Sequence, residues 1–312
     1  MSEMIATRVA FGKALAEIGK DENIVVLNAD LSKSTRTDFF QDLYPERHFN
    51  MGIAEGNMMA VAAGLASCGK TVFASTFAIF AAGRAYDSVR NSIGYPHLNV
   101  KIAATHAGIT LGEDGASHQM IEDIALMRAI PGMTVISPSD AISATSLVKL
   151  AAEMHGPVYL RLGRLNVPII HSSDTKFEIG KGVQIKEGKD LTIIANGYMV
   201  DPALKAAQAL EQEGISARVI DIHTIKPIDT EIVIKAAKET GAILTCEEHN
   251  VFGGLGSAVS EVVVRNSPVP MEIYGIEDTF GESGKPEDLI VKYGLTSENI
   301  VEKAKLLFNR KG

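Results

Sequence analysis

The sequence predicts an α/β protein of two domains, each a mostly parallel sheet flanked by helices. Three observations carry that expectation. Short apolar, β-branched runs alternate with segments of helical period along most of the 312 residues. The strand-like runs are continuously apolar, as in a sheet covered on both faces. The texture breaks once, at residues 165–190, where Pro168, Ser172, Ser173 and Asp174 stand among scattered charges. The expected division is a first domain over 1–172, a linker over 173–189 and a second domain over 190–312.

In order along the chain, residues 5–18 have apolar positions at helical spacing and stop at Gly19, a helix C-terminal signal. A strand over 24–27 runs into the polar turn Asn28-Ala29-Asp30-Leu31-Ser32, and residues 33–47 are polar. At 49–60 a short apolar run turns at Gly52 and sets Glu55 at the head of a helix. The uncharged stretch MMAVAAGL, residues 58–65, continues that helix, and its small residues allow close helix approach. A strand over 71–74, a loop over 76–80 with Phe77 and Phe80, and a helix over 83–91 follow. Next come a strand over 100–104, a long loop over 105–119 and a strand over 133–136. A helix over 141–153, started by Ser139-Asp140, and a strand over 158–162 close the first domain.

A hairpin is expected at 177–185. The second alternation places strands at 191–195, 217–222 and 242–246, and helices at 202–213, 230–239 and 254–264.

Composition removes several classes of function. A net charge of −8 without a block of Lys and Arg argues against a nucleic-acid surface. Cys68 and Cys246 lie far apart in apolar surroundings and read as buried reduced thiols. No apolar run is long enough to span a membrane, and the N-terminal stretch is amphipathic without a long apolar core. The expectation is a cytoplasmic protein.

The densest polar cluster is the 105–119 loop, with His106, Glu113, Asp114, His118 and three glycines. Glycines admit a ligand close to the backbone, and histidines hydrogen-bond phosphate or move protons near neutral pH. The spacing of the two histidines does not suit a metal site. A carboxylate leading a helix, as Glu55 does, sits beside N–H groups that favour negative charge. Phe77 and Phe80 suit either core packing or stacking on a flat heterocycle. Arg161 and Arg164 follow the last strand of the first domain, where an arginine fork binds an oxyanion or forms a surface salt bridge. In the second domain the GGLGS turn at 253–257 resembles a phosphate-cradling loop, although a capped helix start explains it better.

Taken in sequence, Ala29-Asp30-Leu31, Gly52-Ile53-Ala54-Glu55, Ser75-Thr76-Phe77, the 112–119 segment GEDGASHQ and Gly163-Arg164-Leu165-Asn166-Val167-Pro168 resemble the C-terminal half of a transketolase. Almost the whole chain takes part. In the second domain the match, through the 221–227 segment DIHTIKP and the EEH…GGLGS stretch, is shared with related enzymes.

The resemblance implies a pyrimidine-binding domain followed by the small C-terminal domain of a thiamine diphosphate enzyme. Glu55 matches the family's catalytic glutamate, which contacts the cofactor's aminopyrimidine at N1′. Ile53 belongs to the same motif and is expected at the cofactor. Phe77 and Phe80 match the aromatics that stack on the pyrimidine, and Asp30 an aspartate near the cofactor. Ser34, His106 and Arg164 match groups that hold the sugar phosphate. Asp114 matches the residue that senses the acceptor's C2 hydroxyl. His118 matches a catalytic residue that contacts the donor near its reacting carbons.

One expected part is missing. The Gly-Asp-Gly segment and later Asn that hold the diphosphate through Mg²⁺ or another divalent cation do not occur here. A transketolase is also about twice as long. The resemblance therefore implies one subunit of a split transketolase, inactive alone. An N-terminal partner would supply the metal site, within a heterotetramer of two chains of each kind. Related alternatives are a deoxyxylulose-phosphate synthase and the β subunit of a 2-oxo acid dehydrogenase E1 component. A catalytically silent scaffold subunit is the non-enzyme alternative.

Overall fold

The fold was described from a computed structural model, over residues 3–311. Fourteen strands are found among them. In the first half they are β1 (Met4–Ala6), β2 (Ile24–Asn28), β3 (His48–Asn50), β4 (Thr71–Phe77), β5 (Val100–Thr105), β6 (Thr134–Ile136), β7 (Val158–Arg161) and β8 (Asn166–Pro168). In the second half they are β9 (Val183–Lys186), β10 (Leu191–Ala195), β11 (Ala217–Asp221), β12 (Thr224–Lys226), β13 (Ile243–Asn250) and β14 (Met271–Ile276).

The larger sheet has the order β12-β6-β7-β5-β4-β2-β3, parallel except at β12. The second has the order β14-β13-β10-β11-β9, parallel except at β9. Helices cover both sheets, and the strands β2, β5, β7, β10 and β11 are buried at every residue. The two-domain α/β expectation holds. Burial is so complete that Lys101 of β5 is enclosed. Its ammonium donates to the carbonyls of Met154 and Gly156 at 2.6 and 2.7 Å, and burial lowers its pKa to about 7.

Several local expectations are corrected. The chain does not start its first helix at Ile5. Met4–Ala6 is a strand paired antiparallel with β8, and the helix is Thr7–Ile18. That pairing is non-local and leaves no period in the sequence. Residues 76 and 77 are not loop, because β4 stays in register with β5 as far as Phe77 opposite Thr105. Phe80 lies in the wide helical turn Ile79–Arg84 that follows.

The hairpin at 177–185 is absent. Val183–Lys186 instead pairs with β11 at the edge of the second sheet, while the Phe177 ring packs edge-on against His171 and His223. Cys68 is exposed, just past the end of the helix Glu55–Ser67, whereas Cys246 is buried. The helices Asp123–Ala129, Pro286–Lys292 and Ser297–Arg310 were not anticipated, nor was strand β14.

The second half is locked onto the first. β12 continues the larger sheet beside β6, and Lys226 donates to the carbonyls of Arg128 and Ile130. Arg161 is neither exposed nor free for an anion. It is buried against Asp123 at 2.9 Å, Tyr159 donates to the same carboxylate, and Arg161 reaches the Glu248 carbonyl at 2.8 Å. The GGLGS turn is likewise occupied. Both Glu247 carboxylate oxygens accept from the first N–H groups of the helix Leu255–Asn266, at 2.7 and 2.8 Å. The chain's own carboxylate thus fills the place where a phosphate would bind.

Candidate active site

In open parallel sheets ligands bind beyond the carboxyl ends of the strands. Several of the candidate residues named from the sequence follow that edge of the larger sheet. Asp30 comes after β2, Glu55 after β3, Phe77 at the end of β4, His106 after β5 and Arg164 after β7.

Glu55 opens the helix Glu55–Ser67 and is only 2% exposed. Its two oxygens lie 3.0 and 3.1 Å from one nitrogen of Arg84. The same guanidinium sits 4.4 Å above the Phe80 ring. Phe80 and Phe77 are nearly parallel, 5.9 Å apart, and His106 stacks on Phe77 at 3.9 Å. The His118 ring meets Phe80 edge-on at 5.4 Å. Glu55, Phe77, Phe80, His106 and His118 therefore form one cluster, linked by Arg84. Sequence reasoning did not find Arg84. Its position one helical turn after Phe80 was the available signal.

Arg84 makes the two contacts a flat heterocycle would need, a stack on Phe80 and a hydrogen bond to Glu55. Its side chain is 54% exposed, so solvent reaches the guanidinium that covers the Glu55 carboxylate. The buried carboxylate and the aromatic pair thus fit an aminopyrimidine in that place.

His106 is buried in the left-handed backbone region, with φ of 59°. Its Nδ1 lies 2.8 Å from the Thr105 hydroxyl and its Nε2 3.5 Å from Arg8. Burial, then Arg8 and Arg164, lower its pKa to about 3. It is a neutral hydrogen-bonding group near pH 7, not a proton shuttle.

A cleft of about 260 Å³ opens beside it, bordered by Arg8, Thr110, Glu113, Arg164 and Pro286 among others. Arg164 donates to the Leu111 carbonyl and lies 3.3 Å from Glu113. Arg8 donates to the Ser34 carbonyl at 2.5 Å. Burial, then Arg36 and Arg164, lower the Arg8 pKa to about 10. Arginines that disfavour each other's charge across a cleft favour an anion between them. Arg8 was also missed, although it is a lone charge in the first turn of an apolar helix.

The remaining expected residues lie outside the aromatic cluster. Asp30, at φ 60°, accepts from Asn50 at 2.8 Å, and Asn50 in turn accepts from the Gly52 amide. Ile53 is 77% exposed. Asp114 is exposed on the loop, and the Ser34 contact is through its backbone. Among the described residues no three His, Cys, Asp or Glu side chains gather as a metal site. Among them, too, no helix is long and apolar enough to cross a membrane.

Residues 3–169 match the family described as transketolase, pyrimidine binding domain, and residues 180–300 match transketolase, C-terminal domain. The chain belongs to the transketolase family. It is 52% identical, over 300 residues, to a Methanocaldococcus jannaschii protein described provisionally as a transketolase C-terminal section. That match covers 95% of this chain and 94% of the relative. It is 43% identical to the 6-deoxy-6-sulfo-D-fructose transketolase subunit SqwH of a Clostridium species, covering 94% of this chain and 91% of that one.

A solved structure described as a split gene transketolase, inactive β4 tetramer, superposes with a TM-score of 0.92 at 56% identity. It covers 99% of this chain and all of that one. A Pichia stipitis transketolase superposes at 0.82 and 26% identity, but only 46% of its length is matched. The chain thus corresponds to the C-terminal section of a transketolase, a family that depends on thiamine diphosphate.

Proposed function

We propose that this chain is the C-terminal subunit of a thiamine diphosphate-dependent transketolase, active only with an N-terminal subunit. The reaction is transfer of a two-carbon ketol unit from a ketose phosphate to an aldose phosphate. The observation that carries this reading is the buried Glu55 carboxylate, set at a helix head beside Phe77 and Phe80 and next to an arginine-lined cleft.

Thiamine diphosphate, when bound, supplies the electron sink for the carbanion. The residues of this chain bind and orient. Glu55 holds a proton at the pyrimidine N1′, and its burial keeps the carboxylate aimed and water excluded. Phe77 and Phe80 offer the stacking face, with Asp30 and Ile53 at the border of the cofactor. Arg8, His106, Arg164 and Ser34 hold the sugar phosphate. His118 meets the donor near its reacting carbons, and Asp114 the acceptor's C2 hydroxyl. The divalent cation, Mg²⁺ or another, is held mainly by the partner, and the assembly is a heterotetramer of two chains of each type.

The test is a coupled assay. This chain, the N-terminal subunit, thiamine diphosphate and Mg²⁺ are mixed, and transfer from xylulose 5-phosphate to ribose 5-phosphate is followed. Activity in the mixture and in neither chain alone supports the reading. CO₂ release from pyruvate without transfer points to a decarboxylating relative. A stable complex silent in both assays points to a scaffold.

A second reading concerns the sugar alone. Two relatives are named for 6-deoxy-6-sulfo-D-fructose and, in Phocaeicola vulgatus, for apulose 4-phosphate, the latter at 41% identity. Ketoses of those two kinds belong in the assay as donors beside the pentose phosphates.

A further inference from the structure

The buried carboxylate of Glu248 belongs to β13 of the second domain, yet it makes its shortest contact with the first. Its Oε1 accepts from the Thr110 amide at 2.7 Å, across 138 residues of sequence. The neighbouring Leu111 carbonyl accepts from Arg164 at the anion cleft, and Thr110 lines that cleft. From the other side, Arg161 holds the Glu248 carbonyl at 2.8 Å, so the carboxylate's own strand is fixed by a buried cation.

Gly108 adds an independent sign that this contact is built in. Its φ is 81°, and a Cβ there would stand 2.1 Å from the Glu248 carboxyl carbon. Only glycine lets the loop close over that carboxylate.

The geometry points to Glu248 as a positioning residue. It pins the Gly108–Leu111 turn so that the Leu111 carbonyl holds Arg164 in place for the phosphate of the substrate. The second domain, on this view, shapes the substrate site without touching substrate. Two further contacts run the same way. Gln119 donates to the Glu282 carbonyl at 2.9 Å, and the Ser283 hydroxyl donates to the Glu113 carbonyl. The role in substrate binding rests on the function proposed above; the clamp on the loop does not.

Two measurements keep these apart. The first is amide hydrogen exchange on the single chain. In the wild type the Thr110 amide exchanges slowly, while the exposed Ala116–Ser117 tip exchanges fast. Glu248→Leu, which removes the acceptor at similar volume, speeds Thr110 at least about tenfold. Glu248→Gln keeps an acceptor oxygen and leaves the rate within about threefold of wild type. A rapidly exchanging Thr110 in the wild type overturns the clamp without needing any variant, as does an unchanged rate in Glu248→Leu.

The second measurement uses the two-chain enzyme. Glu248→Leu raises KM for a phosphorylated acceptor about tenfold or more, with kcat within about threefold, and leaves KM for an unphosphorylated ketose donor unchanged. Glu248→Gln restores the wild-type values. Equal changes with both kinds of substrate, or no rescue by Gln, reduce Glu248 to a structural residue. If the wild-type mixture shows no transfer at all, the functional proposal fails, while the exchange data still decide the clamp.

Discussion

One nitrogen of Arg84 lies 3.0 Å from the Glu55 carboxylate while its guanidinium rests 4.4 Å above Phe80. The pair joins a half-exposed cation to an almost fully buried anion. Removing Arg84 leaves the carboxylate with little besides the helix N-terminus to stabilise it. Because the arginine is half solvated, the expected loss for Arg84→Ala is about 1–2 kcal/mol rather than the full cost of a buried pair. Urea unfolding of Arg84→Ala, Glu55→Gln and the double variant measures the coupling. A coupling of zero contradicts this geometry.

The anion cleft is tested by its two arginines. In the two-chain enzyme, Arg164→Ala or Arg8→Ala raises KM for a sugar phosphate about 10- to 100-fold, the range for a lost charge-assisted hydrogen bond. Initial-rate kinetics with phosphorylated and unphosphorylated substrates should confine the effect to the former.

His106 sets a pH dependence. Its folded pKa of about 3 lies below the ordinary value of 6.5, so between those values the unfolded chain binds more protons. Stability attributable to this residue is therefore complete above about pH 6.5 and is lost as pH falls toward 3. His48 and His223 are lowered by burial and act with the same sign, whereas His171, beside Asp221, is raised and acts oppositely. Comparing His106→Gln with wild type by denaturant unfolding between pH 4 and 8 isolates the contribution. The variant's curve should fall less steeply on the acid side.

Ile53 and the neighbouring surface of the helix Glu55–Ser67 bear on partnership. Ile53 is 77% exposed, and Ala60 and Gly64 are exposed in the uncharged 58–65 stretch of that helix. Ile53→Asp should change the stability of the single chain by no more than about 0.5 kcal/mol, as for an exposed site. It should weaken binding of the N-terminal subunit at least about tenfold, measured by calorimetry or sedimentation. Unchanged affinity would place the partner elsewhere.

Much of this site was legible in the sequence because its parts are local. Glu55 is marked by the turn at Gly52 and the uncharged helix behind it, and His106 by a glycine-rich loop after a buried strand. Burial on both faces also made β2, β10 and β11 readable as continuous apolar runs. What escaped depends on distant partners. Arg84 meets Glu55 across 29 residues, Arg8 meets His106 across 98, and Glu248 meets Thr110 across 138. The sequence left Arg161 open between an anion ligand and a surface salt bridge because Asp123, which neutralises it in the interior, lies on a helix the sequence did not announce. The edge strands β1 and β12 were missed, and β9 was assigned to a hairpin, for a related reason. Each is short, and its pairing is set by tertiary contact rather than by period.

The most direct test of the account is exchange of the thiamine diphosphate C2 proton for deuterium, followed by NMR after rapid acid quenching. The assembled two-chain enzyme should accelerate exchange far above that of free cofactor. This chain alone should give no acceleration, and Glu55→Gln in the assembly should lose about two orders of magnitude or more. Rapid exchange with Glu55→Gln, or with the single wild-type chain, would contradict the claim that Glu55 is the proton partner in a site completed by a second subunit.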